Sequence, residues 1–150
     1  MPEKTMIDAI RQAMDEELGR DERVFIVGED VGVRGGVFRS TQGLYEKYGP
    51  DRVIDSPLAE VSIVGVGIGA ALYGLRPICE IQFADFIFPA INQIINEAAK
   101  MCYRSNGEWG CPIVIRARSD RRAIVQTNHW NATYPSSRPR ESLYGARLSV

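Results

Sequence analysis

Carboxylates set beside glycine-rich turns are the residues of this sequence whose types and spacing could do chemistry. The sharpest case is Asp55-Ser56-Pro57-Leu58-Ala59-Glu60, which places Glu60 at the mouth of an otherwise apolar, glycine-rich helix. A carboxyl there would be partly desolvated, which raises its pKa and suits it to hold or share a proton. The same placement also serves a helix that simply favours an acid at its N-terminus. A second candidate is Gly28-Glu29-Asp30-Val31-Gly32, continuing to Gly35-Gly36-Val37-Phe38, directly after an apolar run. Ligands of open α/β sheets sit at such loops. The run lacks both the dinucleotide fingerprint and the lysine of a Walker A loop, and a turn needing glycine accounts for it equally well. The third is Glu80-Ile81-Gln82-Phe83-Ala84-Asp85-Phe86, where a strand hands over to a helix. There Asp85 can cap while Gln82, Phe83 and Phe86 pack at the helix start.

Other chemistries find little support. His129 is the single histidine and stands in a stretch without periodicity, a poor setting for a general base. No metal-ligand cluster, nucleophile triad or basic aromatic stripe is evident, which argues against a nucleic-acid partner. Asn131-Ala132-Thr133 matches the glycosylation triplet, but no basic start with an apolar run marks a secretory signal, so the triplet reads as chance and the expected location is cytoplasmic. Cys79, Cys102 and Cys111 are odd in number and lack close pairing, which suits reduced thiols.

Elements able to position these residues follow from the hydrophobic pattern. Thr5 and Asp8 have capping-box spacing, and Ile7, Ile10, Met14 and Leu18 recur every three or four residues, predicting a helix that Gly19 ends. Asp8, Asp15, Glu16 and Glu17 form its solvated face. Arg23 to Gly28 is a buried strand, Thr41 to Tyr48 a short helix, and Arg52 to Asp55 a second strand. From Pro57 and Glu60 runs a helix carrying Gly65, Gly67 and Gly69, each costing roughly 1 kcal/mol relative to alanine, so close packing must sustain it. Its apolar stretch, Val61 to Leu75, is short for a bilayer span, and no membrane partner is expected. Arg76 to Gln82 is a strand, Asp85 to Arg104 a long helix with Phe86, Phe88, Ile91, Ile94 and Ile95 in its core, and Cys111 to Ala117 a strand. This alternation predicts an α/β fold with a doubly wound parallel sheet.

Length and composition agree with one globular domain: 150 residues, 45% hydrophobic and 25% charged. The net charge of -1 conceals an asymmetry. Residues 1–117 carry 12 Lys and Arg against 17 Asp and Glu, whereas residues 118–150 carry 6 against 2. The second stretch is rich in Arg, Ser, Pro and Asn and strands Trp130 and Tyr134 among polar residues, so the expected domain is 1–117, with 118–150 a tail that does not belong to it.

Taken in order, the Gly28 to Phe38 loop, Asp55 to Glu60, Gln82-Phe83-Ala84-Asp85-Phe86-Ile87-Phe88-Pro89-Ala90 and Tyr103-Arg104-Ser105-Asn106-Gly107 resemble the E1 β subunits of the 2-oxoacid dehydrogenase complexes. The resemblance is nearly continuous from about Thr5 to Ala117, and Phe83 to Ala90 is more like the branched-chain (2-oxoisovalerate) enzymes than the pyruvate ones. It implies a β subunit that supplies the pyrimidine-binding half of a thiamine diphosphate site, while an α subunit supplies the diphosphate and magnesium half. It further implies that Glu60 hydrogen-bonds the aminopyrimidine, favouring the imino tautomer that removes the thiazolium proton. Leu58 would pack on the cofactor with Gln82 nearby, and Phe86 would lie against the pyrimidine ring where relatives often carry tyrosine. The implied reaction is decarboxylation of a branched 2-oxoacid and acyl transfer to the lipoyl arm of an E2 partner, in an α2β2 assembly; the cofactor supplies the electron sink and the protein positions it.

The resemblance stops after Ala117. The family continues with a Pro-aromatic-Gly-Gly-Gly loop and a His-Ser-Gln-Ser-x-Glu segment, and Arg118-Ser119-Asp120-Arg121-Arg122 matches neither. The expectation is a reading frame that slips just after Ala117, because codons of Thr127 to Asn131 read out of register permit Gln-Ser-Leu-Glu. Two alternatives stay open: a pyrimidine-domain half of a transketolase-like or deoxyxylulose phosphate synthase enzyme, which the resemblance also allows, and a non-catalytic fragment with open strand edges. The expectation for the isolated chain is no decarboxylase activity, with or without an α partner.

Overall fold

A computed structural model describes residues 4–118 and, as backbone only, residues 146–149. The tail residues His129, Trp130, Asn131 and Tyr134 lie outside the described residues. Five strands form one parallel sheet in the order β2-β1-β3-β4-β5: β1 is Val24–Gly28, β2 Val53–Asp55, β3 Arg76–Ile81, β4 Ile113–Ala117 and β5 Ala146–Ser149. Helices cover both faces, so the sheet is doubly wound as expected. Apolar runs such as Val24-Phe25-Ile26-Val27 occur because both faces of these strands are buried.

Alternation along the strands divides the core in two. Val24, Ile26, Ile78 and Val53 pack with Met14 and Leu18 of α1 (Met6–Arg20) and Leu44 of α2 (Leu44–Tyr48). Phe25, Val27, Cys79, Ile81, Ile113 and Ile115 face the other way, against Ile63, Val64 and Ile68 of α3 (Glu60–Leu72). Thr5 caps α1 as its spacing predicts: its Oγ1 accepts the Asp8 amide at 3.1 Å and donates to the Asp8 carboxylate at 2.6 Å. The helix runs past Gly19 to Arg20 before Asp21 closes it.

Of the three α3 glycines, Gly67 is the one that the packing demands. A Cβ there would collide with Cys79 Sγ and lie 2.9 Å from Ile113 Cδ1, so glycine lets the helix sit on β3 and β4. Gly69 meets nothing within 4 Å and faces outward.

The long helix expected over Asp85 to Arg104 is instead broken into three pieces. A 3₁₀ segment, Ala84–Ala90, contains Pro89, which has no N–H to donate and crowds the preceding turn. A wider π segment, Gln93–Ala98, follows, and then α4, Met101–Arg104. Asp85 is in the first turn of the 3₁₀ segment but does not cap it; Phe83 holds that position without a side-chain bond. Strands β3 and β4 are also shorter than expected: β3 stops at Ile81, and β4 starts only after Pro112. Among the described residues, no helix is long and apolar enough to cross a membrane.

Candidate functional site

Chain order reverses between β1 and β3: β2 lies to one side of β1, and β3 and β4 to the other. The connections leaving the carboxyl ends of these strands diverge there and leave a crevice, the usual ligand position in open α/β sheets. Three connections border it. Glu29 to Thr41 follows β1, Ser56 to Ala59 joins β2 to α3, and Gln82 and Phe83 lead from β3 into the 3₁₀ segment.

The first connection is folded on itself. Gly36 donates its amide to Asp30 O at 2.8 Å, Gly35 to Gly32 O at 2.9 Å, and Thr41 Oγ1 donates to Val31 O at 2.7 Å. Gly35 and Gly36 hold φ of 72° and 77°, which side chains rarely adopt, so these two turns need glycine. The loop is also tied to its neighbour: the Asp55 carboxylate accepts the Gly32 amide at 2.7 Å, and the Ser56 amide donates to Gly28 O at 2.8 Å. A Cβ on Gly32 would collide with that carboxylate.

These ties bring Glu29 close enough to Glu60 for their charges to interact. Glu29 is half-buried, and its carboxyl is raised above the ordinary range first by desolvation, then by the negative charges of Asp30 and Glu60. In the sequence Glu29 stands out only as a member of the loop motif. The signal that could have found it is an acid placed immediately after a buried strand at the crevice.

Glu60 is the first residue of α3 and is half-buried, with no side-chain cap on the residue before it. Leu58, two residues earlier, is 67% exposed. Gln82 is half-buried beyond the end of β3, and Phe86, 44% exposed, lies in the 3₁₀ segment that packs against α3. Phe86 also belongs to a row of rings that sequence reading did not assemble. Phe38 from the first loop meets Phe83 edge-on at 5.4 Å between centroids, and Phe83 meets Phe86 the same way at 5.4 Å. The Arg118 guanidinium covers the Phe38 ring at 3.5 Å.

Exposed apolar side chains beside a carboxyl and an amide suit a flat heteroaromatic ring with polar edges, such as an aminopyrimidine: rings pack on Leu and Phe while the edges meet carboxyl and amide groups. A diphosphate fits poorly on the same side, because Glu29, Asp30, Asp55 and Glu60 all border it. Among the described residues, no three His, Cys, Asp or Glu side chains converge as a metal site would need.

Comparison with known sequences decides the family. Residues 3–121 match the family described as transketolase, pyrimidine binding domain. The chain belongs to that family. Relatives of this pyrimidine-binding domain chain include the 2-oxoisovalerate dehydrogenase subunit beta of Bacillus subtilis (strain 168), 68% identical over 111 residues, which are 74% of this chain and 34% of the relative. The protein of the same name from Pseudomonas aeruginosa is 53% identical over 112 residues, 75% of this chain and 32% of the relative. The pyruvate dehydrogenase E1 component subunit beta of Bacillus subtilis is 49% identical over 117 residues, 78% and 36%. The chain therefore spans about a third of the length of the curated relatives it matches. The resemblance to E1 β subunits read from the motifs stands, with the branched-chain relatives at higher identity than the pyruvate one. The matched stretch includes all three connections that border the crevice.

Proposed function

We propose that this chain is the pyrimidine-binding part of the β subunit of a thiamine diphosphate-dependent 2-oxoacid dehydrogenase of the branched-chain type. In the complete enzyme it would decarboxylate a branched-chain 2-oxoacid and acylate the lipoyl group of an E2 partner. The observation that carries the reading is Glu60: a half-buried carboxyl opening α3 at the switch point, coupled to Glu29 and flanked by the outward-facing Leu58 and Phe86. The 68% identity to a subunit named for 2-oxoisovalerate supports the substrate class.

In this reading Glu60 hydrogen-bonds the polar edge of the aminopyrimidine and shares a proton with it. Leu58 and Phe86 sandwich the ring and exclude water, and Gln82 offers an amide to the ring edge. When bound, thiamine diphosphate supplies the carbanion-stabilising electron sink of the decarboxylation. The carboxylates bordering the crevice make a diphosphate unwelcome on this side, which supports an α subunit holding the diphosphate with magnesium. Val61, Val66 and Tyr73 on the outer side of α3 are exposed, and no charged residue stands between Glu60 and Arg76, as suits a chain that works inside an assembly such as α2β2.

A titration tests the reading. Thiamine and thiamine diphosphate should shift the resonances of Leu58, Glu60, Gln82 and Phe86 in the isolated chain to the same extent, because this half touches only the pyrimidine. Glu60→Gln should weaken both by about tenfold or more, as expected for a lost charge-assisted hydrogen bond. If saturating thiamine shifts none of these residues, the reading is wrong.

A further inference from the structure

Beneath the glycine-rich loop lies a set of buried polar side chains that the contacts proposed above leave unused. Glu80, only 4% exposed, is on β3 in register with Arg116 on β4. Arg116 Nη1 pairs with the Glu80 carboxylate and also donates to Ser40 Oγ at 3.0 Å. Ser40, at the foot of the loop and 1% exposed, turns its single proton toward Glu80 Oε1 at 3.4 Å. Burial pushes the Glu80 carboxyl up, and Arg116 and Ser40 pull it back down.

Strand alternation puts Glu80 and Arg116 on the same face as Ile78 and Val114, whose neighbours in the core include Met14 and Leu18 of α1. Beyond these residues the loop takes over as the cover: a Cβ on Gly36 would sit 3.5 Å from both Glu80 Oε1 and Ser40 Oγ. A buried ion pair is weak support for stability compared with apolar packing, so its presence calls for a job that packing alone does not do.

We propose that Glu80, Arg116 and Ser40 form a positioning device for the crevice. The strand pair fixes Ser40, Ser40 fixes the foot of the loop, and the loop carries Phe38 against Phe83, which in turn braces Phe86. This rests on the reading of Phe86 as a ring-facing side chain. Glu80, Arg116 and Ser40 are positioning residues and touch no substrate.

The test uses the full 150-residue chain without cofactor. Ser40→Ala leaves the Glu80–Arg116 pair whole and cuts its side-chain hydrogen bonds to the loop. Amide exchange at Gly36 and Thr41 should then quicken about tenfold, the scale of one lost hydrogen bond, while Ile26 in β1 keeps its protection. The nuclear Overhauser contact between the Phe38 and Phe83 rings should weaken while that between Phe83 and Phe86 persists. Arg116→Lys, which keeps the charge opposite Glu80 but loses the forked reach to Ser40, should give the same local pattern and decides the matter if Ser40→Ala does not fold. Unchanged loop exchange and ring contacts overturn the proposal, and so does an equal quickening at Ile26, which marks a global role. The thiamine titration is read separately. Local loosening with no thiamine response sinks the cofactor reading alone, and a thiamine response with no local loosening sinks the positioning device alone.

Discussion

Two groups of glutamates lie within one loop of each other and are treated in opposite ways. At the mouth of the crevice, Glu29 and Glu60 are half-buried with like charges for neighbours, Asp30 among them. Beneath the loop, Glu80 is buried and meets Arg116 and Ser40. A carboxyl that is paired and dry is committed to the fold, because removing its partner strands a charge in low dielectric. Carboxyls crowded together near solvent are a cost the fold tolerates, and that cost is relieved when a ligand donates or shares a proton. The contrast teaches which acids hold the site and which face the ligand.

The largest expected effect sharpens this contrast. Glu80→Ala should destabilise the chain by about 3–5 kcal/mol by leaving Arg116 buried without its partner. Glu60→Ala should stay within about 0.5 kcal/mol of wild type, as is usual for a partly exposed side chain with no ion-pair partner among the described residues. Urea unfolding measures both, and equal losses would erase the distinction between mouth and base.

The same inside-against-outside logic applies along α3. Gly67→Ala should cost about 1–3 kcal/mol by driving a methyl into Cys79 and Ile113. Gly69→Ala, with open space around it, should instead stabilise the helix by up to about 1 kcal/mol, the difference in helix propensity. Thermal midpoints moving in the same direction for both variants would mean that α3 does not sit on the sheet as described.

The smallest effect is a pH dependence. The Glu29 carboxyl is raised above its ordinary value of 4.5 in the folded chain. The folded state therefore holds this proton more tightly: the stabilisation is complete below 4.5 and is lost as pH rises through the higher folded value. Glu29→Gln should flatten the stability profile in that window and make the chain slightly more stable than wild type at neutral pH. A profile that stays as steep as in wild type would show that Glu29 is not under strain from Glu60.

Much of this was legible in the residues. The doubly wound sheet follows from continuous apolar strands alternating with periodic helices, and Thr5 announces its cap by spacing alone, because these features depend on neighbours a few positions apart. The break in the segment after β3 was harder to read, since its apolar spacing suits one helix and Pro89 alone warned against it. Glu80 and Arg116 each stand between apolar residues of a strand, which signals burial with a partner. That each was the other's partner was settled by strand register.

By itself the sequence determined the strands, the helices α1 and α3 and the core between them, and it carries the motif residues Leu58, Glu60, Gln82 and Phe86 on which the family resemblance rests. Tertiary structure alone decided that Glu29 lies within reach of the Glu60 charge, that Phe38, Phe83 and Phe86 form one row, and that Ser40 closes on Glu80 and Arg116. The physical reason is sequence separation: these groups meet through sheet order and loop ties between residues tens of positions apart, and no local propensity encodes such a meeting.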